Sequence, residues 1–289
     1  MDANFIVGPP MAVKAPRWDP KATGSDRGSN RVAHSLRCAF TIQCRPPMAY
    51  RMTTRTPISW AMQRYAAEIW RLEREHPPVS LGSIAEHANV STQAVSRMVR
   101  RLEEAGLVRH ERYHGVKLTA RGERACLPAI RRHRLVECFL VQVMGFDWAE
   151  VHDLADDFEH GVDERIEARI DELTGYPTRC PHGDPIPSAD GVLPVVDDAP
   201  LSEIARALLP GQRGEVSRVK THDPERLRYL KDVGLVPGVG FQFRSAAPFD
   251  GPVTLEIEGV ERVVGNGLAR ELRVTMASPA KENGYGNAT

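Results

Sequence analysis

Residues 81–108 read LGSIAEHANVSTQAVSRMVRRLEEAGLV, and their punctuation decides the fold of the first ordered part of the chain. Leu81 to Ala88 has the length of a short helix, Asn89-Val90 reads as a turn, and Ser91 or Thr92 can cap a second helix running to Glu104. Gly106 supplies the left-handed residue that closes it. In that second helix Val95, Met98, Val99 and Leu102 fall on one apolar stripe, while Gln93, Arg97, Arg100 and Arg101 fall on the other side. The next stretch, LVRHERYHGVKLTARG at 107–122, alternates about His114-Gly115 as a β-hairpin wing does. Upstream, Ala61, Tyr65, Ile69 and Leu72 recur at helical spacing from Ser59 to Arg74, and Pro77-Pro78 stops the helix. Residues 55–122 thus predict a winged helix-turn-helix. Gln can read adenine, Arg can read guanine, and any basic side chain can grip phosphate. The candidate contacts to double-stranded DNA are Ser91, Thr92, Gln93, Arg97, Arg100 and Arg101, with Arg112 and Lys117 on the wing. The competing explanation of this face is a solvated charged surface on an ordinary helical hairpin; turn, caps, wing and basic face agree on the DNA reading.

Ala120 to Leu173 reads as almost continuous helix, with breaks suggested at Pro128 and at Gly145-Phe146-Asp147. His133 and Glu137 share a face, as do His152, Asp156, Glu159 and His160, because spacings of four, seven and eight point the same way on a rod of 3.6 residues per turn. Imidazole mixed with carboxylate, without an evident thiolate, suits a divalent transition metal of the Mn(II) or Fe(II) kind; Zn(II) or Co(II) would substitute on affinity alone. An acidic helix face with incidental histidines would look similar, and Asp153 and Asp157, which point off the stripe, fit that description. The apolar residues here, among them Leu135, Val136, Phe139, Leu140, Phe158, Ile166, Ile170 and Leu173, exceed what one small domain buries, so a homodimer interface is expected. Cys138 falls in that pattern and reads as a small buried hydrophobe.

The remainder is bounded by composition. The chain has 289 residues, enough for two or three domains, with 42% hydrophobic and 26% charged residues and a formal net charge of zero. Charge is unevenly placed: basic residues dominate 51–125 and acidic ones dominate 126–175, which fits a nucleic-acid-facing segment joined to one that needs cations. Residues 1–54 are rich in Pro, Gly, Ser and Arg and predict a disordered extension, with Met48 and Met52 as alternative starts; 277–289 predict a disordered tail. The five cysteines (Cys38, Cys44, Cys126, Cys138, Cys180) contain no CxxC pair, so neither a disulfide framework nor a zinc knuckle is indicated and a reducing cytoplasm is the simplest compartment. No run approaches the ~18 apolar residues of a membrane helix, so no membrane partner is expected. YPTRCPHGDPIP at 176–187 holds too many prolines for regular structure; Cys180 and His182 form a CxH spacing, but two ligands are few and a rigid turn is the better reading. After a linker at 188–199, the segments GEVSRV, VGFQFRS, VTLEIEG, ERVVG and LRVTM predict a small β-barrel over 200–276.

Taken together, SIAEHANVSTQAVSRMVRRLEEAGLV, RRHRLVECFL, EVHDLADDFEH and HGDPIP resemble the DtxR/MntR family of metal-dependent transcriptional repressors, and the segment containing LKDVGLVPGV is similar to that family's SH3-like, FeoA-like C-terminal domain. The resemblance implies a mainly α, multidomain protein: a winged helix-turn-helix, a helical metal-binding and dimerisation domain at 123–187, and the SH3-like domain. It implies two metal sites, one of His133, Glu137 and His152, the other of Asp156, Glu159 and His160. Asp156 stands where iron sensors of the family place Cys and manganese sensors a carboxylate, which favours Mn(II). Where the first helix of the family usually donates Met or Asp, this chain has Arg64, which cannot ligate a metal; Glu68 one turn later, or water, is then expected to complete the second site, and the barrel is expected to supply a further ligand near His222-Asp223, at Asp223, where the family places a Glu. The implied function is a non-enzymatic, Mn(II)-responsive repressor of metal-uptake genes that binds operator DNA as a homodimer. Alternatives are an Fe(II)-responsive regulator of the same family, a winged-helix sensor of an organic ligand, and a metallohydrolase with a metal-bound water.

Overall fold

The computed structural model describes residues 58–277 except 76, 112 and 113. The expectations for the N-terminal extension, the alternative starts, the tail and Arg112 lie outside the described residues. Four apolar clusters organise the described chain.

The first two share helix α1 (Trp60–Glu75). Met62, Ile69 and Leu72 face the winged helix, and Ala66, Ala67 and Trp70 face the long helix α4, so α1 is buried on two sides and Ala61 is exposed. Helix α2 (Leu81–His87) begins in a reciprocal capping box between Ser80 and Ser83. Helix α3 (Thr92–Glu104) is capped by Ser91, whose hydroxyl accepts the Ala94 amide, and buries Val95, Val99 and Leu102. Strands β1 (Val108–Glu111) and β2 (Gly115–Leu118) form the antiparallel wing. Gly115 is required there: its φ is +85°, and a Cβ would stand 2.4 Å from the Val79 carbonyl oxygen, which the Val79–Val116 bridge holds in place.

Helix α4 (Ala120–Gln142) runs unbroken through Pro128. The carbonyl that Pro128 leaves without a partner belongs to Arg124; both residues are on the solvent side, where water satisfies the group and a gentle bend is tolerated. Helix α5 (Val151–Phe158) is followed by a 3-10 turn (Glu159–Gly161) and by α6 (Glu164–Leu173), capped by Asp163. The continuous two-turn stripe read from the sequence therefore ends at Phe158. Glu159 turns inward and His160 outward, because Gly161 and the Asp163 cap of the next helix stop α5.

The C-terminal unit holds β3 (Ala199–Pro200), α7 (Leu201–Ile204), β4 (Arg213–Val219), α8 (Pro224–Asp232), β5 (Gly240–Ala246), β6 (Val253–Ile257), β7 (Val260–Val264), α9 (Asn266–Glu271) and β8 (Leu272–Met276). Its strands make one antiparallel sheet in the order β3-β8-β4-β5-β6-β7, with register shifts at Val216/Arg218 and Phe243/Ser245 that bend it. The sheet is SH3-like but open, not the closed barrel expected: β3, which would have to meet β7, is two residues long and one of them is Pro200, without an N–H to donate. Trp148 and Ala149, from the α4–α5 connection, are buried in this unit's core. Lys231 and Arg228 on α8 pair with Asp147 and Glu150 of the same connection, at 2.5 and 2.7 Å. None of the described helices is long and apolar enough to cross a membrane.

Candidate metal centre

His133 and Glu137 lie one turn apart on the buried face of α4, each 2% exposed, and His152 reaches them from the first turn of α5. His133 Nε2 is 3.2 Å from Glu137 Oε1 and 3.1 Å from His152 Nδ1, and His152 Nδ1 is 3.0 Å from the same Glu137 oxygen. Donors about 2.1 Å from one ion in an octahedral array stand about 3 Å from their neighbours. The three donors fit a divalent ion on that measure.

The loop after α6 adds His182, which is buried. Its Nε2–H donates to the Trp148 carbonyl at 2.9 Å, so Nδ1 is the nitrogen left with a lone pair. That Nδ1 makes no hydrogen bond and lies 3.5 Å from Glu137 Oε1. A lone pair against a carboxylate oxygen in a buried pocket is unfavourable unless a proton or a metal ion neutralises it. A backbone carbonyl fixing one imidazole nitrogen so that the other points at a cation is the usual outer-shell arrangement of metal-binding histidines. The loop is held by the Cys180–Asp184 backbone hydrogen bond and by Gly183, whose φ is +87° and where a Cβ would stand 2.2 Å from the Ser217 carbonyl oxygen. From the C-terminal unit His222 stacks on His152, ring centroids 3.7 Å apart and planes 2° from parallel.

These groups set one another's protonation. Burial and the Arg71 guanidinium oppose a charge on His133, yet Glu137 and Asp156 raise its pKa to about 10. Burial likewise disfavours a charged His182, and Glu137 holds it above the usual histidine value. Burial lowers His152, and it lowers His222 further, with help from the neighbouring imidazoles His152 and His182. Glu137, despite burial, is kept ionised by His182 and His133. Cys180 is close enough to group with Glu137 and His182, but burial and the Glu137 charge push its thiol well above its ordinary range, so it brings no thiolate.

A second group, His133, Asp156 and Glu159, shares His133 with the first. His133 Nδ1 lies 3.1 Å from Asp156 Oδ1 and 3.4 Å from Glu159 Oε2, without an aligned hydrogen bond to either. An imidazole offers one lone pair when neutral. With Nδ1 between two carboxylates the proton belongs there, and Nε2 is free to face Glu137 and His152. The structure does not bring His160 to this group: its Nε2 is 2.7 Å from a terminal guanidinium nitrogen of Arg64. Glu68, one turn along α1, pairs with Arg71 at 3.3 Å. Asp223 is turned away, its carboxylate accepting the Glu225 and Arg226 amides as the cap of α8; the residue beside it, His222, enters the cluster. Sequence reading missed His182 and His222 as members. The CxH spacing was the only sign of the first, and the second needed the three-dimensional docking of α8.

At the other end of the chain, the side chains of Ser91, Thr92, Gln93, Arg97, Arg100 and Arg101 are exposed on α3, and that of Lys117 on β2. The fold and the cluster define a winged-helix DNA-binding protein whose helical domain carries a buried set of histidines and carboxylates. Family models agree in three consecutive pieces: the iron-dependent repressor N-terminal DNA binding domain over 58–116, its metal binding and dimerisation domain over 119–188, and the FeoA domain over 200–276. The iron-dependent repressor IdeR of Mycobacterium tuberculosis is 33% identical over 209 residues, 70% of this chain and 90% of that protein. The diphtheria toxin repressor of Corynebacterium diphtheriae is 28% identical over 73% of this chain and 95% of its own. Among solved structures, a manganese-dependent transcriptional repressor in complex with manganese is 37% identical with a TM-score of 0.67, covering 75% of this chain and all of its own. The chain belongs to the iron-dependent repressor family of metal-dependent transcriptional regulators, whose members are DNA-binding repressors and not enzymes.

Proposed function

We propose that this protein is a Mn(II)-responsive repressor that acts in the cytoplasm on the operators of metal-uptake genes. The observation that carries the metal reading is the buried His182 Nδ1, without a hydrogen-bond partner and 3.5 Å from Glu137 Oε1, beside a triangle of donor atoms at metal-ligand spacing. His133 Nε2, Glu137, His152 and His182 would hold the ion, with His222 closing the C-terminal side; bound there, it supplies the two positive charges that let these imidazoles stay neutral beside a carboxylate. The absence of a thiolate supports Mn(II) or Fe(II) over a zinc-thiolate site. Likeness to manganese-dependent repressors favours the first, and the predominance of imidazole in the cluster favours Fe(II) as the second reading.

The chain's own residues explain how such a site biases DNA binding. The cluster ties α4 and α5 to the 180–184 loop and the C-terminal unit, while α4 packs along α1 beneath the DNA-reading helices. A ligand shifts the spacing of two DNA-reading heads only by binding one arrangement better than the other, and half-sites recur at about 34 Å or multiples of it. Fluorescence anisotropy with promoter fragments selected by the protein tests the reading: Mn(II) should restore binding after EDTA at lower concentration than Fe(II), with Zn(II) compared. Binding that chelator leaves unchanged would refute it.

The second copy is expected on the apolar face formed by Phe139, Phe158, Ile166, Ile170 and Leu173, where Phe158, Ile166 and Leu173 are exposed. Ile166→Lys should convert a dimer to a monomer in sedimentation velocity with the helical content unchanged. A dimer of wild-type strength in that variant would place the interface elsewhere.

A further inference from the structure

Arg64, Glu68 and Arg71 stand at spacings of four and three on α1 and share one face. That face closes the cleft against Asp156, Glu159 and His160. Arg64 Nε is 2.8 Å from Glu159 Oε1, a carboxylate 3% exposed as a residue, and a terminal nitrogen of the same guanidinium is 2.7 Å from His160 Nε2. Glu159 is thereby engaged through Oε1 by Arg64, while Oε2 faces His133 Nδ1 at 3.4 Å without an aligned hydrogen bond. The His160 nitrogen that would ligate a metal accepts an Arg64 N–H instead. Behind Arg64, the half-buried Arg71 pairs with Glu68 and lies in the field of Asp156, Glu137 and Glu159. A guanidinium keeps its charge at every accessible pH and has five donors and no acceptor. It satisfies carboxylates as a cation does, yet adds nothing to a coordination sphere. The residues that the family resemblance assigns to a second metal site thus do not fit a metal here.

We propose that Arg64 is a resident cation in the place of a second divalent ion. Each protomer then takes one metal ion, and α1 is fastened to the Glu159–Gly161 turn whether or not metal is present. The count of one rests on the metal reading above; the fastening does not. It follows that metal acts on the link between the helical and C-terminal units, while the link from α1 to the Glu159–Gly161 turn is permanent.

Two measurements on the full chain test this. Equilibrium dialysis against Mn(II) followed by elemental analysis should give one ion per protomer in the wild type and in Arg64→Lys, and one more in Arg64→Asp, which supplies a hard ligand beside Asp156, Glu159 and His160. No gain in Arg64→Asp overturns the proposal, and so does a second ion in the wild type that His160→Ala removes. No ion in the wild type, with one in Arg64→Asp, refutes the metal reading but upholds the Arg64 assignment. Separately, in EDTA, amide hydrogen exchange at 159–161 should speed up at least tenfold in Arg64→Ala, a variant judged folded by its unchanged exchange in the core of the C-terminal unit. Unchanged exchange at 159–161 overturns the metal-free fastening.

Discussion

Glu137→Gln is expected to weaken Mn(II) binding by on the order of 100-fold or more, with little change in size or fold. The expectation follows from where the carboxylate sits: one oxygen, Oε1, lies within 3.5 Å of donors on His133, His152 and His182, which come from α4, α5 and the 180–184 loop. Removing an outer-shell partner of a metal site typically lowers affinity 10–100-fold, and in the proposed site Glu137 would be a direct donor. Gln keeps the volume and one acceptor but loses the charge that neutralises the cation. The variant also alters the metal-free protein. The raised His133 pKa, about 10 in the wild type, contributes stability that is fully present below the ordinary histidine value and is lost as pH rises through about 10. Without Glu137 that contribution shrinks, and fewer protons leave when metal binds. Isothermal titration with Mn(II) in two buffers of different ionisation enthalpy reads both effects. Wild-type affinity in Glu137→Gln, or equal loss in the off-cluster control Asp153→Asn, would remove Glu137 from the site.

The second large effect is on stability. Asp198→Ala should destabilise the C-terminal unit by about 3 kcal/mol, the usual scale for breaking a buried ion pair by deleting one partner, or roughly 6–12 °C in melting temperature. Asp198 closes the stretch between the helical domain and the sheet, and its fully buried carboxylate accepts from Arg218 at 2.7 Å, from Arg273 at 2.5 Å and from the Ser217 hydroxyl at 2.9 Å. Although burial opposes it, Arg218 and Arg273 hold its pKa at about 2. A carboxylate depressed in the folded state stabilises above its unfolded pKa of about 3.9 and loses that contribution as pH falls through about 2. Wild type and variant should therefore differ fully at pH 7 and converge near pH 2. Calorimetric melts at the two pH values check this, and identical melts at pH 7 would show the pair to be worthless.

The winged helix was legible because its determinants are mostly local: Ser91 and Gly106 each act within a few residues of themselves, whereas the close approach of Val79 to Gly115 is not visible in the sequence. The pairing of His133 with Glu137 on α4 was legible for the same reason, as helical spacing puts the two side by side without reference to the rest of the fold. What periodicity misjudged was its own reach. It carried the α5 stripe past Phe158, where Gly161 and the Asp163 cap had already ended the helix, so it did not show that His160 lies on a 3-10 turn against Arg64 of α1. His182 and His222 were beyond such reasoning, since each reaches the cluster through contacts between units distant in sequence. The open sheet has the same origin, because strand count and spacing do not tell whether the first and last strands meet.

Trp148 joins two facts that are separate in the chain. Its indole is buried in the core of the C-terminal unit, and its carbonyl orients His182 toward Glu137. Because one residue serves both, an ion held by the cluster would be thermodynamically linked to the seating of the C-terminal unit and, by reciprocity, each would change the other by the same factor. If the cluster holds the proposed ion, a change on the far side of the sheet that loosens Trp148 would be felt as a change in metal affinity, so the concentration threshold for metal would be adjustable from a surface that touches neither metal nor DNA.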